Sequence, residues 1–157
     1  MIVRHAAVAD AEAISQLIRG VAHYCTLDPN GVGAESFMES IETAAIRQCV
    51  RDPKYQYWVA HLRSDLVGVV AIRDGSHLYH LFVAEQHHRQ GVGKLLWQHA
   101  RDSAVAAGSS GTFTVNSTPY AVPIYESFGF KTTGPRVETK GIASVPMQLT
   151  VAPGRDG

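Results

Sequence analysis

Sulfhydryl chemistry is scarce in this chain, which carries only Cys25 and Cys49 among 157 residues. They form no Cys-x-x-Cys pair and no zinc spacing, so neither a disulfide framework nor a structural metal is expected. Net charge is missing too, since 14 Lys plus Arg balance 14 Asp plus Glu. A dedicated nucleic-acid or anionic-membrane binder would carry a basic surplus, so neither partner is expected. No run approaches the roughly 20 apolar residues of a membrane span. The opening Met1-Ile2-Val3-Arg4-His5 lacks the apolar stretch of a secretion signal, which suits a cytoplasmic protein with reduced thiols. Repeats and low-complexity tracts are also absent. The expectation is one domain over residues 1–151, followed by a flexible tail at 152–157. Histidine is the residue in surplus: eight in a chain of this length point to activity that responds to pH near neutrality.

The most informative segment is Leu81-Phe82-Val83-Ala84-Glu85-Gln86-His87-His88-Arg89-Gln90-Gly91-Val92-Gly93-Lys94-Leu95-Leu96. A strand-like run stops at a polar turn, and two glycines then open a segment with helical apolar spacing. Backbone N–H groups at such a turn join the unsatisfied donors of the first helical turn to form a phosphate cradle. Without a Cβ, Gly91 and Gly93 let an anion approach the backbone closely. A P-loop is excluded because Leu95 follows Gly93-Lys94 where Ser or Thr is needed, and His88 stands at the first glycine position. A dinucleotide fingerprint fails at Leu96, which occupies the third glycine position. By itself the motif is also compatible with a strand-to-helix connection that binds nothing.

The remaining chain reads as alternating elements. Ile2 to Arg4 suits a strand, and Asp10 caps a helix with Ile14, Leu17, Ile18 and Val21 on one face. Leu27 to Gly33 is a loop. Ser36 and Glu39 have capping-box spacing and open one helix through Val50, with Met38, Ile41, Ala45 and Cys49 inward. Tyr55 to Arg63 and Leu66 to Arg73 form a hairpin, and Asp74-Gly75 turns into a strand from His77 to Val83. A helix from Val92 to Ala107 buries Leu95, Leu96, Ala100, Ala104 and Ala107, and Gly108 stops it. Strands follow at Thr112–Asn116, Phe130–Thr133 and Ala143–Val151. The order is α/β with a mixed sheet.

A second segment, Val115-Asn116-Ser117-Thr118-Pro119-Tyr120-Ala121-Val122-Pro123-Ile124-Tyr125-Glu126-Ser127-Phe128-Gly129-Phe130, reads as strand end, turn, short helix with a glycine cap, and strand. Together the two segments resemble the GNAT family of N-acetyltransferases, over roughly residues 1 to 151. The first is similar to that family's Arg/Gln-x-x-Gly-x-Gly/Ala pyrophosphate motif. The second is similar to its Tyr-x-x-x-Gly-Phe signature. His88 replaces the usual first Arg or Gln, with Arg89 beside it. Many members carry Asn seven residues before the tyrosine; Thr118 stands there and Asn116 lies two residues earlier, which leaves open which of them meets the CoA arm.

The resemblance implies a mixed, largely antiparallel central sheet flanked by helices, with a V-shaped splay between its two central strands. It implies acetyl-CoA as cosubstrate and an amine acceptor, with direct attack in a ternary complex. The pyrophosphate would rest on His88, Arg89, Gln90, Gly91, Val92, Gly93 and Lys94. Leu81, Phe82 and Val83 would offer backbone groups to the pantetheine arm. Tyr125 falls at the position of the general acid, and the base of histone-acetylating relatives maps to His77. Period-two alternation puts Tyr79 on the face of His77 and His80 on the opposite face. The acceptor pocket maps to His23–Phe37 and Glu138–Pro146, where His23, Tyr24, Asp28 and Glu35 either hold a cationic amine or are solvated loop residues. A CoA-binding regulatory module, another acyl-CoA donor and a homodimer are compatible with the same pattern.

Overall fold

The computed structural model describes residues 1–151; the tail expected to be flexible lies outside the described residues. Eight strands form one sheet: β1 (Ile2–His5), β2 (Tyr55–Leu62), β3 (Asp65–Arg73), β4 (His77–Val83), β5 (Thr112–Ser117), β6 (Lys131–Thr132), β7 (Val137–Thr139) and β8 (Ile142–Thr150). Their order is β1-β2-β3-β4-β5-β8-β6, with β7 paired to β8 outside that path. Every pairing is antiparallel except β4 with β5. The helices are α1 (Ala11–Val21), α2 (Glu35–Ser40), α3 (Thr43–Arg51), α4 (Val92–Ala106) and α5 (Val122–Ser127). None is long and apolar enough to cross a membrane.

The central strands are buried on both faces, so they read as apolar runs rather than alternating ones. Tyr57 and Val59 of β2 pack with α1 and α3 through Ile14, Ile18 and Ile46. Trp58 and Ala60 face the opposite core, which holds Leu96 and Trp97 of α4, Phe113 and Phe130. The inward stripe of α4 is Val92, Leu96, Trp97 and Ala100. It is therefore rotated from the expected one: Leu95 is 39% exposed, and Ala107 is exposed. The cause is Gly68 on β3. A Cβ there would stand 2.7 Å from Leu96 Cδ1 and 3.1 Å from Val92 Cγ1, so the missing side chain fixes which line of α4 meets the sheet.

Three other local expectations are corrected. The single helix through Val50 is broken between α2 and α3 at Ile41, whose carbonyl accepts a 2.6 Å hydrogen bond from the buried Ser15 hydroxyl; Glu42 is extended. The capping box at Ser36 is not formed, and Glu35 instead accepts from the Gly33 N–H at 2.9 Å. Asp10 does not cap α1. Its carboxylate turns back to the Ala7 N–H and to Arg4, at 2.9 Å, and this pairing holds its pKa below the usual value. Strand β7, short and exposed throughout, lacked an apolar pattern that could announce it. The turn from β7 to β8 passes through Gly141 at φ 80°. There a Cβ would lie 2.7 Å from Ala34 N and closer still to the Gly33 carbonyl. The Leu27 N–H donates to the Gly141 carbonyl at 2.9 Å, so the loop before α2 is clamped to this hairpin.

Candidate active site

Strands β4 and β5 share two rungs, His77–Thr114 and Leu78–Val115. Beyond them β4 stays on β3 as far as the Gly68–Val83 pair, while β5 follows β8 as far as Ser117–Val145. The sheet therefore splits into the expected V. A cavity of about 870 Å³ occupies it, reaching from Gly91, Gly93 and Lys94 at one end to Arg73 and His77 at the other.

At the glycine end, Arg89 (φ 64°) and Gly91 (φ 82°) both take the left-handed conformation, and Gly91 begins α4 with no side-chain cap. The first turn of α4 has no acidic residue, so its free N–H groups present an uncompensated positive end. A Cβ on Gly91 would meet nothing within 4 Å, and one on Gly93 would meet only Val83 Cγ2 at 3.7 Å. Protein packing therefore does not demand glycine at position 93. The open space beside it leaves room for a ligand to approach the backbone closely. Arg89 and Lys94 line the cavity, but Gln90 does not: its amide donates back to the Gln86 carbonyl at 3.3 Å. His88 lines it as well, although its Nε2 is committed as donor to the Val83 carbonyl at 2.8 Å.

Along β4 the register slips between Ala71 and Ile72, leaving Tyr79 as an unpaired extra residue. This bulge corrects the alternation argument. Tyr79 and His80 lie on one side with their rings stacked at 4.2 Å, and Phe82 meets His80 edge-on at 5.3 Å. His80 Nδ1 is 3.1 Å from the Tyr57 hydroxyl. Burial lowers the His80 pKa to about 3, so the imidazole is neutral at any working pH. Sequence reasoning gave His80 no role because a bulge is invisible to period-two counting.

His77 is half-buried, with Nδ1 2.8 Å from Thr114 Oγ1, which leaves Nε2 free. Burial first, and then the neighbouring Arg73 cation, hold its pKa below the usual histidine value. Tyr125 lines the far wall, buried to 7% exposure and packed edge-on against Phe128 and Phe130 at 5.9 and 5.6 Å. Burial and Cys25 raise its pKa. Asn116 lines the cavity from an exposed position on β5. Thr118 lines it as well, and its hydroxyl oxygen caps the following turn, accepting from the Ala121 N–H at 3.2 Å. Tyr24 spans the mouth of the V: it stacks on Tyr120 at 4.4 Å and donates to Glu85 Oε2 at 3.2 Å.

The two carboxylates proposed for a cationic amine are occupied within their own loop. Asp28 accepts from the N–H groups of Asn30 and Val32, and Glu35 from that of Gly33. Neither lines the cavity. Among the described residues no group of His, Cys, Asp and Glu side chains is placed to hold a metal ion.

The chain is 33% identical over 89 residues to N-acetyltransferase family 8 member 3 of Rattus norvegicus and 35% identical over 91 residues to N-acetyltransferase 8 of Homo sapiens. Each alignment covers 50% of this chain and 39% of the relative, so the chain matches about two fifths of the length of those proteins. Its fold is that of a PaiA N-acetyltransferase from Thermoplasma acidophilum solved in complex with coenzyme A, with TM-score 0.79 at 14% identity over 96% of this chain and 98% of that one. The family description "Acetyltransferase (GNAT) domain" matches residues 25–151. With this match over most of its length, the chain belongs to the GNAT acetyltransferase family.

Proposed function

We propose that residues 1–151 form one acyl-CoA-dependent N-acetyltransferase domain, with acetyl-CoA as donor and a primary amine as acceptor. The observation that carries this reading is the cavity joining the uncapped α4 terminus to the split between β4 and β5. The α4 N–H groups, Arg89 and Lys94 bind the pyrophosphate. The backbone of Leu81, Phe82 and Val83, freed from β5, pairs with the pantetheine amides as a neighbouring strand would. Four residue steps from Val83 to Tyr79 span about 13 Å, which brings the acyl end to the bulge. Asn116 and Thr118 both line the cavity; Asn116 meets the CoA arm with its whole amide, and Thr118, whose oxygen accepts from Ala121, has only its O–H to offer.

The acceptor amine must lose a proton to attack, because a free alkylammonium holds its proton to a pKa of about 10. His77 takes that proton at Nε2, and the Tyr125 hydroxyl protonates the departing thiolate. A regulatory module that only binds CoA has no use for a phenol in that position. The pH profile tests the base. His77 must be neutral to act, and its pKa lies below the ordinary value. The kcat/KM of the wild type therefore falls with acidity only below about pH 6.5. His77→Gln should lower turnover by about 10²-fold and abolish that limb, with acetyl-CoA binding unchanged. Superimposable profiles, followed by thiol release, would pass the proton to a water chain instead.

A further inference from the structure

We infer that the acceptor is a small amine carrying a carboxylate, an α-amino acid with an apolar side group, and that Arg73 binds the carboxylate. The inference rests on the transferase reading above and deepens it. Charge is the first ground. Among the described residues no Asp or Glu lines the cavity, whereas Arg73, Arg89, Lys94 and Lys140 all do. Arg89 and Lys94 flank the glycine turn, where the phosphates are accounted for. Arg73 sits at the opposite end of β4, and Lys140 on the β7–β8 turn; nothing anionic answers either within the cavity. A polycationic amine entering this space would meet like charge with no partner, which disfavours its binding. A carboxylate would meet what it needs.

Geometry is the second ground. Arg73 ends β3 directly opposite His77 on β4. Its guanidinium lies over the Tyr79 ring, 5.5 Å from the centroid. Its one ion pair among the described residues, from Nε to the adjacent Asp74, is long at 3.8 Å and exposed on both sides. Among the described residues the side chain makes no hydrogen bond, so both Nη atoms are available for the bidentate contact that guanidinium makes with carboxylate. In an α-amino acid one carbon separates amine from carboxylate. A carboxylate on Arg73 thus leaves the amine beside His77, the opposed residue. The cavity wall also contains Phe37, Ile142 and the buried Val21, apolar surface that suits an apolar side group. Sequence reading missed Arg73 because a lone arginine at a strand end reads as a solvated charge.

The test is an initial-rate screen by thiol release at saturating acetyl-CoA, using matched acceptors: L-phenylalanine, L-phenylalaninamide and phenethylamine, with spermidine as polycation. The expected kcat/KM is at least ~10-fold higher for the acid than for the amide. Arg73→Gln should collapse that ratio towards one through KM, and Arg73→Lys should retain part of it. A wild-type ratio of one or less, a ratio unchanged in Arg73→Gln, or a preference for spermidine would overturn the inference while leaving the transferase reading intact. Absence of turnover with every amine, in protein that still binds acetyl-CoA, would overturn both.

Discussion

Gly93→Glu should erase the stabilisation that acetyl-CoA confers on the folded chain. A ligand that binds only the native state at 100 times its Kd adds about 2.7 kcal/mol, which raises Tm by roughly 5–10 °C for a domain of this size. Gly93 is the cleaner of the two loop positions to alter. Gly91 is left-handed at φ 82°, where any side chain adds backbone strain of about 1–2 kcal/mol. At Gly93 a Cβ touches only Val83 Cγ2 at 3.7 Å, so a longer side chain is tolerated by the fold. Glutamate there directs a carboxylate at the positive end of α4 and competes with the pyrophosphate for the same N–H groups. Differential scanning fluorimetry with and without acetyl-CoA reads the result. A folded Gly93→Glu protein that keeps its full Tm shift would place the cofactor away from this turn.

Tyr125→Phe should lower kcat by about 10²-fold, the lower end for losing a general acid. Stability should stay within about 0.5 kcal/mol, because the ring contacts with Phe128 and Phe130 persist and no group is orphaned. The hydroxyl has no hydrogen-bond partner among the described residues. Burial and Cys25 hold the phenol protonated throughout the working range, so it always has a proton to give. The mismatch with an ordinary thiol is smaller than it looks: a thiolate released in the same apolar surroundings loses the same solvation, and its pKa rises in parallel. Single-turnover thiol release, together with an unchanged thermal shift by acetyl-CoA, separates chemistry from binding. Wild-type kcat in the variant would assign protonation to solvent.

Local features were legible in the sequence and tertiary ones were not. Strand β4 was read with its observed limits, His77 to Val83, because Asp74-Gly75 and the polar turn bracket it. The glycine stops also appear where expected, with Gly108 and Gly129 both at φ 104° after α4 and α5. The break at Ile41 depends on a hydroxyl 26 residues away, and the rotation of α4 depends on an absent Cβ across the sheet. The side of the sheet that His80 faces turns on one inserted residue in the ladder. At the site, Gly91, Gly93, Lys94, Asn116 and Tyr125 line one cavity, and Gln90 of the same glycine motif does not. Spacing could not say that Gln90 spends its side chain locally, or that among the described residues no carboxylate lines the space.

The two rungs between β4 and β5 also divide the molecule mechanically. On one side lie β1 to β4, built from sequential antiparallel neighbours; on the other lie β5, β8, β6 and β7. Each half closes most of its contacts within its own stretch of chain, while the seam between them is a parallel pairing that must cross α4. The halves still share one core, in which Trp58 and Leu78 pack with Phe113 and Met147, so the seam is weak in its ladder and not in its packing. A pantetheine arm lying in the seam supplies hydrogen bonds where the ladder stops. Under the proposed function the cosubstrate is then also a structural rung between the two parts of the sheet.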